Sequence, residues 1–430
     1  MLTVRVHREV EDLEALLPEW RELLAASPSA TPFQSPEWVC AWIARFLGAK
    51  RLHVVTFLDG PRLVGLMPMT LSRFPWRVLR PVGAGISDYL HPLAAGGYEA
   101  SVAEALWDHV SALSGVDLVD FQQVRESEPL STGQASAGIP GQGSRRMARA
   151  DAANCFVVSK WLTEEVAGDV ERGVGTNHPT ATAGDADTPA AVEMLFARGK
   201  SRERGQDARA TLVRDEECFV LDLPETWESY VATLSKSLRY EARRLDKPPY
   251  STGLATVRTL TEVREVRRGL DALFDLHARR WRKRGLPGVF AFRRIREFHY
   301  RFAEEAVQSG LLRLGLIEQS GQVLGVIYAM AVNETVFFYQ SGFDPEAKEL
   351  SPGTVLVAHT IREAIAGGAK HFDFLRGPEP YKLRWKPQHR STNLRILMSK
   401  TLVRGRTAMG LNRFRSSIEA RIRLKLASRS

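Results

Sequence analysis

One order of elements occurs twice along this chain, and it restricts the fold more than any other feature. Each time a helix is followed by a meander of strands, a second helix and a closing strand. Helix stripes of that kind must be buried against a sheet, so the repetition predicts two mixed α/β units in tandem. In the first copy, Ser35-Pro36-Glu37-Trp38 reads as an N-cap, a proline at the first helical position and an acid in the first turn, with Trp38, Trp42 and Phe46 at helical spacing. Strands Leu52–Leu58 and Leu63–Met69 flank the turn Asp59-Gly60. Arg77–Val82, a glycine-rich turn, a helix near Val102–Leu113 and a strand Asp117–Phe121 complete it.

The second copy opens on a long helix, Leu270–Arg284, whose Leu270, Leu273, Phe274, His277 and Trp281 share one face. A helix over Ile295–Ser309 and strands Leu311–Ile317, Val323–Val332 and Thr335–Ser341 follow, punctuated by Ser320-Gly321 and Asn333-Glu334. Ser351-Pro352-Gly353-Thr354 then opens a helix that Gly367-Gly368 ends, and His371–Leu375 reads as a buried strand. The units are expected over residues 1–127 and 217–398. Between them, 128–216 is rich in Gly, Ala, Ser, Thr and Asp and reads as a mobile insertion with one short helix near Ala190–Ala197.

The chain has 430 residues and a formal charge of +9, which admits nucleic acid, an anionic membrane or a phosphorylated cofactor as partner. Cys40, Cys155 and Cys218 are widely spaced, which argues against a disulfide scaffold or a zinc site, and no metal is expected. No apolar leader or run of membrane-spanning length is seen, so a cytoplasmic location is expected. Residues 399–430 form a basic tail in which Arg404, Arg406, Arg413, Arg415, Arg421, Arg423 and Lys425 surround Leu411, Phe414, Ile418 and Ile422. It could lie on anionic lipid at the inner membrane face, dock on envelope-synthesis machinery, or present one solvated face. Nucleic acid is disfavoured, since no zinc finger, helix-turn-helix or aromatic RNA-binding pattern accompanies the charge.

Several runs resemble the bacterial GNAT-superfamily proteins associated with cellulose biosynthesis. They are Phe33-Gln34-Ser35-Pro36-Glu37-Trp38, Ser87-Asp88-Tyr89-Leu90, Leu234-Ser235-Lys236-Ser237-Leu238-Arg239, Tyr339-Gln340-Ser341-Gly342-Phe343-Asp344, and the stretch from Leu350-Ser351-Pro352-Gly353-Thr354 to Phe372-Asp373-Phe374-Leu375-Arg376-Gly377-Pro378-Glu379-Pro380-Tyr381-Lys382. The resemblance covers roughly residues 30–125 and 217–398. It implies two tandem GNAT-like acyl-CoA N-acyltransferase domains, each a mixed, mostly antiparallel sheet flanked by helices. The second would use acetyl-CoA or another acyl-CoA as co-substrate and act on a small-molecule amine, a sugar amine or an envelope precursor. The family's phosphate loop, Gln/Arg-x-x-Gly-x-Gly/Ala, is reduced here to Lys348-Glu349-Leu350-Ser351-Pro352-Gly353, with one of its glycines.

Acyl transfer from a thioester to an amine needs an aligning strand, an anion site, a base and an acid. Ser341 and Gly342 supply the strand end, while Lys348, Ser351, Pro352, Gly353 and Thr354 supply a helix start suited to a diphosphate; the same string also serves as an ordinary helix start. By resemblance Tyr381 is the acid and Glu379 the base, with Asp373 as substitute base; Asp88, Tyr89, Arg280 and Lys382 are expected near the acceptor. His277, His299 and His359 read as core or surface residues. Two other readings stay open: a Fem-like aminoacyltransferase supplied by aminoacyl-tRNA, and a catalytically silent accessory of exopolysaccharide synthesis.

Overall fold

The computed structural model describes residues 2–73, 75–125, 210–283, 285–377 and 379–411. The first half runs β1 (Thr3–His7), α1 (Val10–Ala26), α2 (Pro36–Phe46), β2 (Arg51–Asp59), β3 (Arg62–Leu71), β4 (Val78–Pro81), β5 (Leu93–Ala94), α3 (Glu99–Ala112) and β6 (Leu118–Arg125). The second runs β7 (Ala210–Asp222), α4 (Trp227–Thr233), α5 (Lys236–Ala242), β8 (Ala255–Leu260), α6 (Val263–Arg282), α7 (Arg293–Gln308), β9 (Leu312–Gln319), β10 (Gln322–Val332), β11 (Thr335–Phe343), α8 (Pro352–Ala366), β12 (His371–Arg376), α9 (Pro380–Arg384) and β13 (His389–Ser399).

Local chemistry accounts for these elements. Ser35 Oγ accepts the Trp38 N–H at 3.2 Å, which fixes the start of α2. Ser320 and Gly321 both have positive φ, 50° and 79°, as a two-residue hairpin turn requires, and Gln319 pairs with Gln322 across it. The stripe of α6 is buried at Leu270, Leu273, Phe274, His277 and Trp281. His277 belongs to that core, its Nε2 accepting from Trp281 Nε1 at 2.8 Å, and His299 is buried beside it.

All the described strands join one sheet of 13 strands, in the order β1-β2-β3-β4-β6-β13-β7-β12-β11-β10-β9-β8, with β5 added on β3. Every pair is antiparallel except β4 with β6 and β11 with β12. The last strand, β13, lies between β6 and β7, hydrogen-bonded to both, and so welds the two halves edge to edge. One core cluster also runs through both halves. Trp38 of α2 meets Phe298 and Phe302 of α7, each at 4.8 Å between ring centres and edge to face.

One boundary differs from the sequence reading. β7 begins at Ala210, inside the stretch taken as a mobile insertion to residue 216, because its backbone finds β13 as partner from Met398 onward. The tail departs from β13 as a helical segment over 404–411, with Ala408 buried against Val78, Leu118 and Leu397. The helix expected near Ala190–Ala197, Cys155 and the tail residues from Arg413 to Lys425 lie outside the described residues. Among the described residues, no helix is long and apolar enough to cross a membrane.

Candidate active site

The parallel pair β11–β12 is joined at only three positions, Thr335–His371, Val336–Phe372 and Phe337–Asp373, after which the strands part. The crossover between them is α8, long enough to cover one face of the sheet. The first half repeats the arrangement: β4 and β6 pair at Val78–Leu118 and Leu79–Val119 and then part, with α3 in the crossover. There the opening is closed by the segment from Gly83 to His91, whose Leu90 N–H donates to Gln123 O at 2.8 Å. A ladder that stops leaves strand amides and carbonyls without a sheet partner, and these can take an extended ligand.

Tyr381 stands at the opening in the second half. Its ring packs against Phe338, the first β11 residue beyond the last pair, with centres 6.4 Å apart. Its phenol makes no hydrogen bond among the described residues. Burial, then the Glu379 carboxylate, push its pKa well above that of a free tyrosine, against the nearby Arg280 guanidinium. Tyr381 therefore holds its proton throughout the neutral range.

Behind it the two halves meet in a buried polar seam. Asp373 Oδ2 accepts from Tyr89 Oη at 2.8 Å and from Arg125 Nη2 at 3.5 Å, while its Oδ1 accepts from the Leu375 N–H at 2.7 Å. Arg125 also lies over the Tyr89 ring, 4.0 Å from its centre. Burial pushes the Asp373 carboxyl up, and Arg125 is the strongest influence pulling it back. Asp88 pairs with Arg376 at 2.5 Å, with Glu216 3.6 Å from the same guanidinium. Burial raises Asp88 to about 6 in spite of Arg376. Asn393 of β13 donates to Asp88 O at 2.6 Å and Gln123 Oε1 at 2.7 Å, tying the welding strand to the first half. Cys218 of β7 is buried in the same seam, its thiol pushed up by burial and then by Asp373 and Asp88.

Lys382 is fully buried. Its ammonium donates to the carbonyls of Leu375 at 3.2 Å and Arg376 at 2.7 Å and pairs with Glu379 Oε2 at 2.9 Å, which makes a buried charge tolerable. Leu375 at φ 56° and Gly377 at φ 114° produce the bend that turns those carbonyls inward. A Cβ on Gly377 would fall 2.5 Å from Glu379 Oε2, so the glycine makes room for that carboxylate.

The expected site residues thus fall into two groups. Tyr381, Glu379, Lys382 and Asp373 share one neighbourhood with Asp88 and Tyr89, although the last two come from the other half. Tyr89, Asp373 and Lys382 spend their polar atoms on protein partners and brace the seam. The helix start forms the second group. Ser351 holds the N-cap position of α8, its carbonyl accepting the Val355 N–H at 3.0 Å, but its φ is 47°, its side chain caps nothing, and its Oγ takes an N–H from Arg244 at 3.1 Å. Arg244 also donates to Glu349 O, and Tyr250 Oη to Leu350 O at 2.9 Å. Gly353 serves packing, since a Cβ there would lie 3.1 Å from the Phe343 ring; at Gly342 it would lie 3.1 Å from Leu276. Ser341 pairs with Ile327, Pro352 is buried and Thr354 half-buried, while the Lys348 side chain lies outside the described residues. Arg280 lies 5.8 Å from the centre of Phe343 and also influences Tyr381, which links the helix start to the opening.

Arg125, Arg376, Cys218 and Asn393 were missed by sequence reasoning. Arg376 sits inside the Phe372–Lys382 run and could have been found there. The other three give no local signal, because their partners are distant in the chain.

A parallel pair that parts beside its crossover helix, built twice into one mixed sheet, defines a tandem GNAT-like α/β fold. Residues 233–383, from the end of α4 into α9, match the family described as "Acetyltransferase (GNAT) domain". Among solved structures, FemX is similar with a TM-score of 0.56 at 9% identity, over 89% of this chain and 96% of that one; this shows a common fold. The C-terminal domain of a putative lysylphosphatidylglycerol synthetase from Agrobacterium fabrum gives a TM-score of 0.47 at 9% identity, over 92% and 95%. A tandem GNAT protein from the clavulanic acid biosynthesis pathway gives 0.44 at 12%, over 92% and 98%. No curated protein gives a significant sequence match.

Proposed function

We propose that the second half is an N-acyltransferase, moving an acyl group from acyl-CoA to an amine of a small molecule, sugar or envelope precursor. The observation that carries this reading is the opening of β11 from β12 beyond Phe337 and Asp373, with the unbonded Tyr381 phenol packed where the strands part. The residues fit a thioester there: a free strand edge can align an amide-bearing arm, and a protonated phenol faces the place where a thiolate would depart. Arg244 and Arg280, on either side of the start of α8, supply cations for its phosphates.

In the reaction the amine nitrogen attacks the thioester carbonyl, the C–S bond breaks as the C–N bond forms, and the thiolate takes the Tyr381 proton. Glu379 is the base that receives the amine proton. Asp373 is ill suited to that task, because both its oxygens already accept hydrogen bonds. It instead holds the β12 end in place through Tyr89 and Arg125. The first half, its own opening closed by residues 83–91, frames the acceptor side.

Calorimetric titration with acetyl-CoA and CoA tests the reading. Binding is expected for wild type and for Tyr381→Phe alike, with turnover of the variant down about 100-fold or more, the usual contribution of a general acid. Unchanged turnover would remove Tyr381 from the chemistry. A second reading, with an aminoacyl-tRNA as donor, draws on the start of α8, where Phe343 covers Gly353 and leaves less room for a diphosphate. Failure to bind either CoA species, together with retention of tRNA, would select it.

A further inference from the structure

A second concavity lies at the opposite end of the first half's sheet from its strand opening, where β2, β4 and β6 begin and β3 ends. It encloses about 630 Å³; its floor is largely apolar, with Leu52, Leu71, Leu79 and Leu113, and its lining also holds Arg8, Arg51, Arg73, Arg77 and His53, with no carboxylate. Asp117, next in the chain to the lining residue Val116, is already paired. It accepts from the Arg77 backbone N–H at 2.9 Å and Nη2 at 3.2 Å, and Arg404 Nε lies 3.4 Å away. Arg8, Arg51 and Arg73 have no ion-pair partner among the described residues. The positive field is felt by His53, which burial, then His109 and Arg8, lower to about 4.

Like charges gathered round a hollow repel one another, and the cost is recovered when an anion enters. Guanidinium forks match phosphate oxygens two at a time, and the volume lies in the range of small-ligand pockets. We propose that this pocket is an anion site for a phosphorylated group, a phosphate ester or a diphosphate, separate from the acyl-transfer opening. Two sources share that chemistry. A free phosphorylated metabolite would enter from solution. A lipid headgroup would be presented by a membrane, where the exposed Leu402 and Val403, 58% and 77% accessible, adjoin Arg404, itself donating to Pro75 O at 3.0 Å beside Arg77.

The full chain is titrated calorimetrically with inorganic pyrophosphate, and co-sedimented with vesicles of phosphatidylcholine alone or mixed with phosphatidylglycerol. Pyrophosphate binding assigns a soluble ligand; retention by the phosphatidylglycerol vesicles alone assigns a headgroup. In either case Arg51→Glu with Arg73→Glu is expected to weaken binding roughly 100-fold and Arg8→Gln roughly tenfold, with added salt weakening it further. Arg267→Gln, at an exposed arginine of α6 that pairs with Glu304 in the second half, is the control and leaves this binding unchanged. The proposal is overturned if neither probe binds, or if Arg8→Gln and the double variant, melting like wild type, bind as wild type does.

Discussion

Replacing Trp38 by alanine tests whether the two halves are one folding unit. Trp38 is completely buried, with Phe33 at 5.0 Å, Phe298 and Phe302 at 4.8 Å and Tyr339 at 5.5 Å between ring centres. Truncating a buried Trp costs about 3–5 kcal/mol through lost transfer energy and the cavity left behind. Ser87 Oγ, which accepts from Trp38 Nε1 at 2.9 Å, loses its donor, for about 1 kcal/mol more. The total, about 4–6 kcal/mol, is a large part of the stability of an ordinary domain. Three of the four rings belong to the second half, and β13 joins the two halves of the one sheet, so the loss must be shared. Urea unfolding followed by circular dichroism should show one transition moved to lower denaturant. Hydrogen exchange should quicken in β10 of the second half as much as in β3 of the first. A loss under about 1 kcal/mol, or faster exchange in β3 alone, would refute a shared core.

Gly353→Ala places a methyl 3.1 Å from the Phe343 ring and should cost about 1–3 kcal/mol by overpacking, with Phe343→Leu restoring the loss; a melting temperature unchanged by the first substitution would show that the glycine is not there for Phe343. Acid should destabilise the fold well above the carboxylate range, because burial lowers His277 and His299 to about 3 and His53 to about 4. Between those values and the unfolded value of about 6.5 the unfolded chain binds more protons, so stability falls as pH falls, each group contributing up to about 1.4 kcal/mol per pH unit. Asp88, raised to about 6, works in the opposite sense between about 3.9 and 6 and offsets one of the three. Urea midpoints that do not fall between about pH 7 and pH 5 would contradict this balance.

The order of elements was legible because periodicity, caps and turns are local. Ser35 caps α2 as its neighbours demand, Ser320-Gly321 turns β9 into β10, and the α6 stripe is buried from Leu270 to Trp281. The candidate site was legible where the chain concentrates it, in the run from Asp373 to Lys382. Other features depend on residues that only folding brings together. The Tyr89–Asp373 hydrogen bond joins positions 284 apart, and the place of β13 between β6 and β7 is set by pairing with strands of both halves. Even a motif gains a second reason in space: Gly353, expected as a phosphate contact, also leaves room for the Phe343 ring. The sequence by itself determined the elements whose caps, turns and periodicity are local, such as α2, α6 and the β9–β10 hairpin, while β1, α1, β8 and β13 were not read from it. The tertiary structure alone decided that the two units share one sheet and one core, because strand pairing and ring packing are energies between residues that the chain keeps far apart.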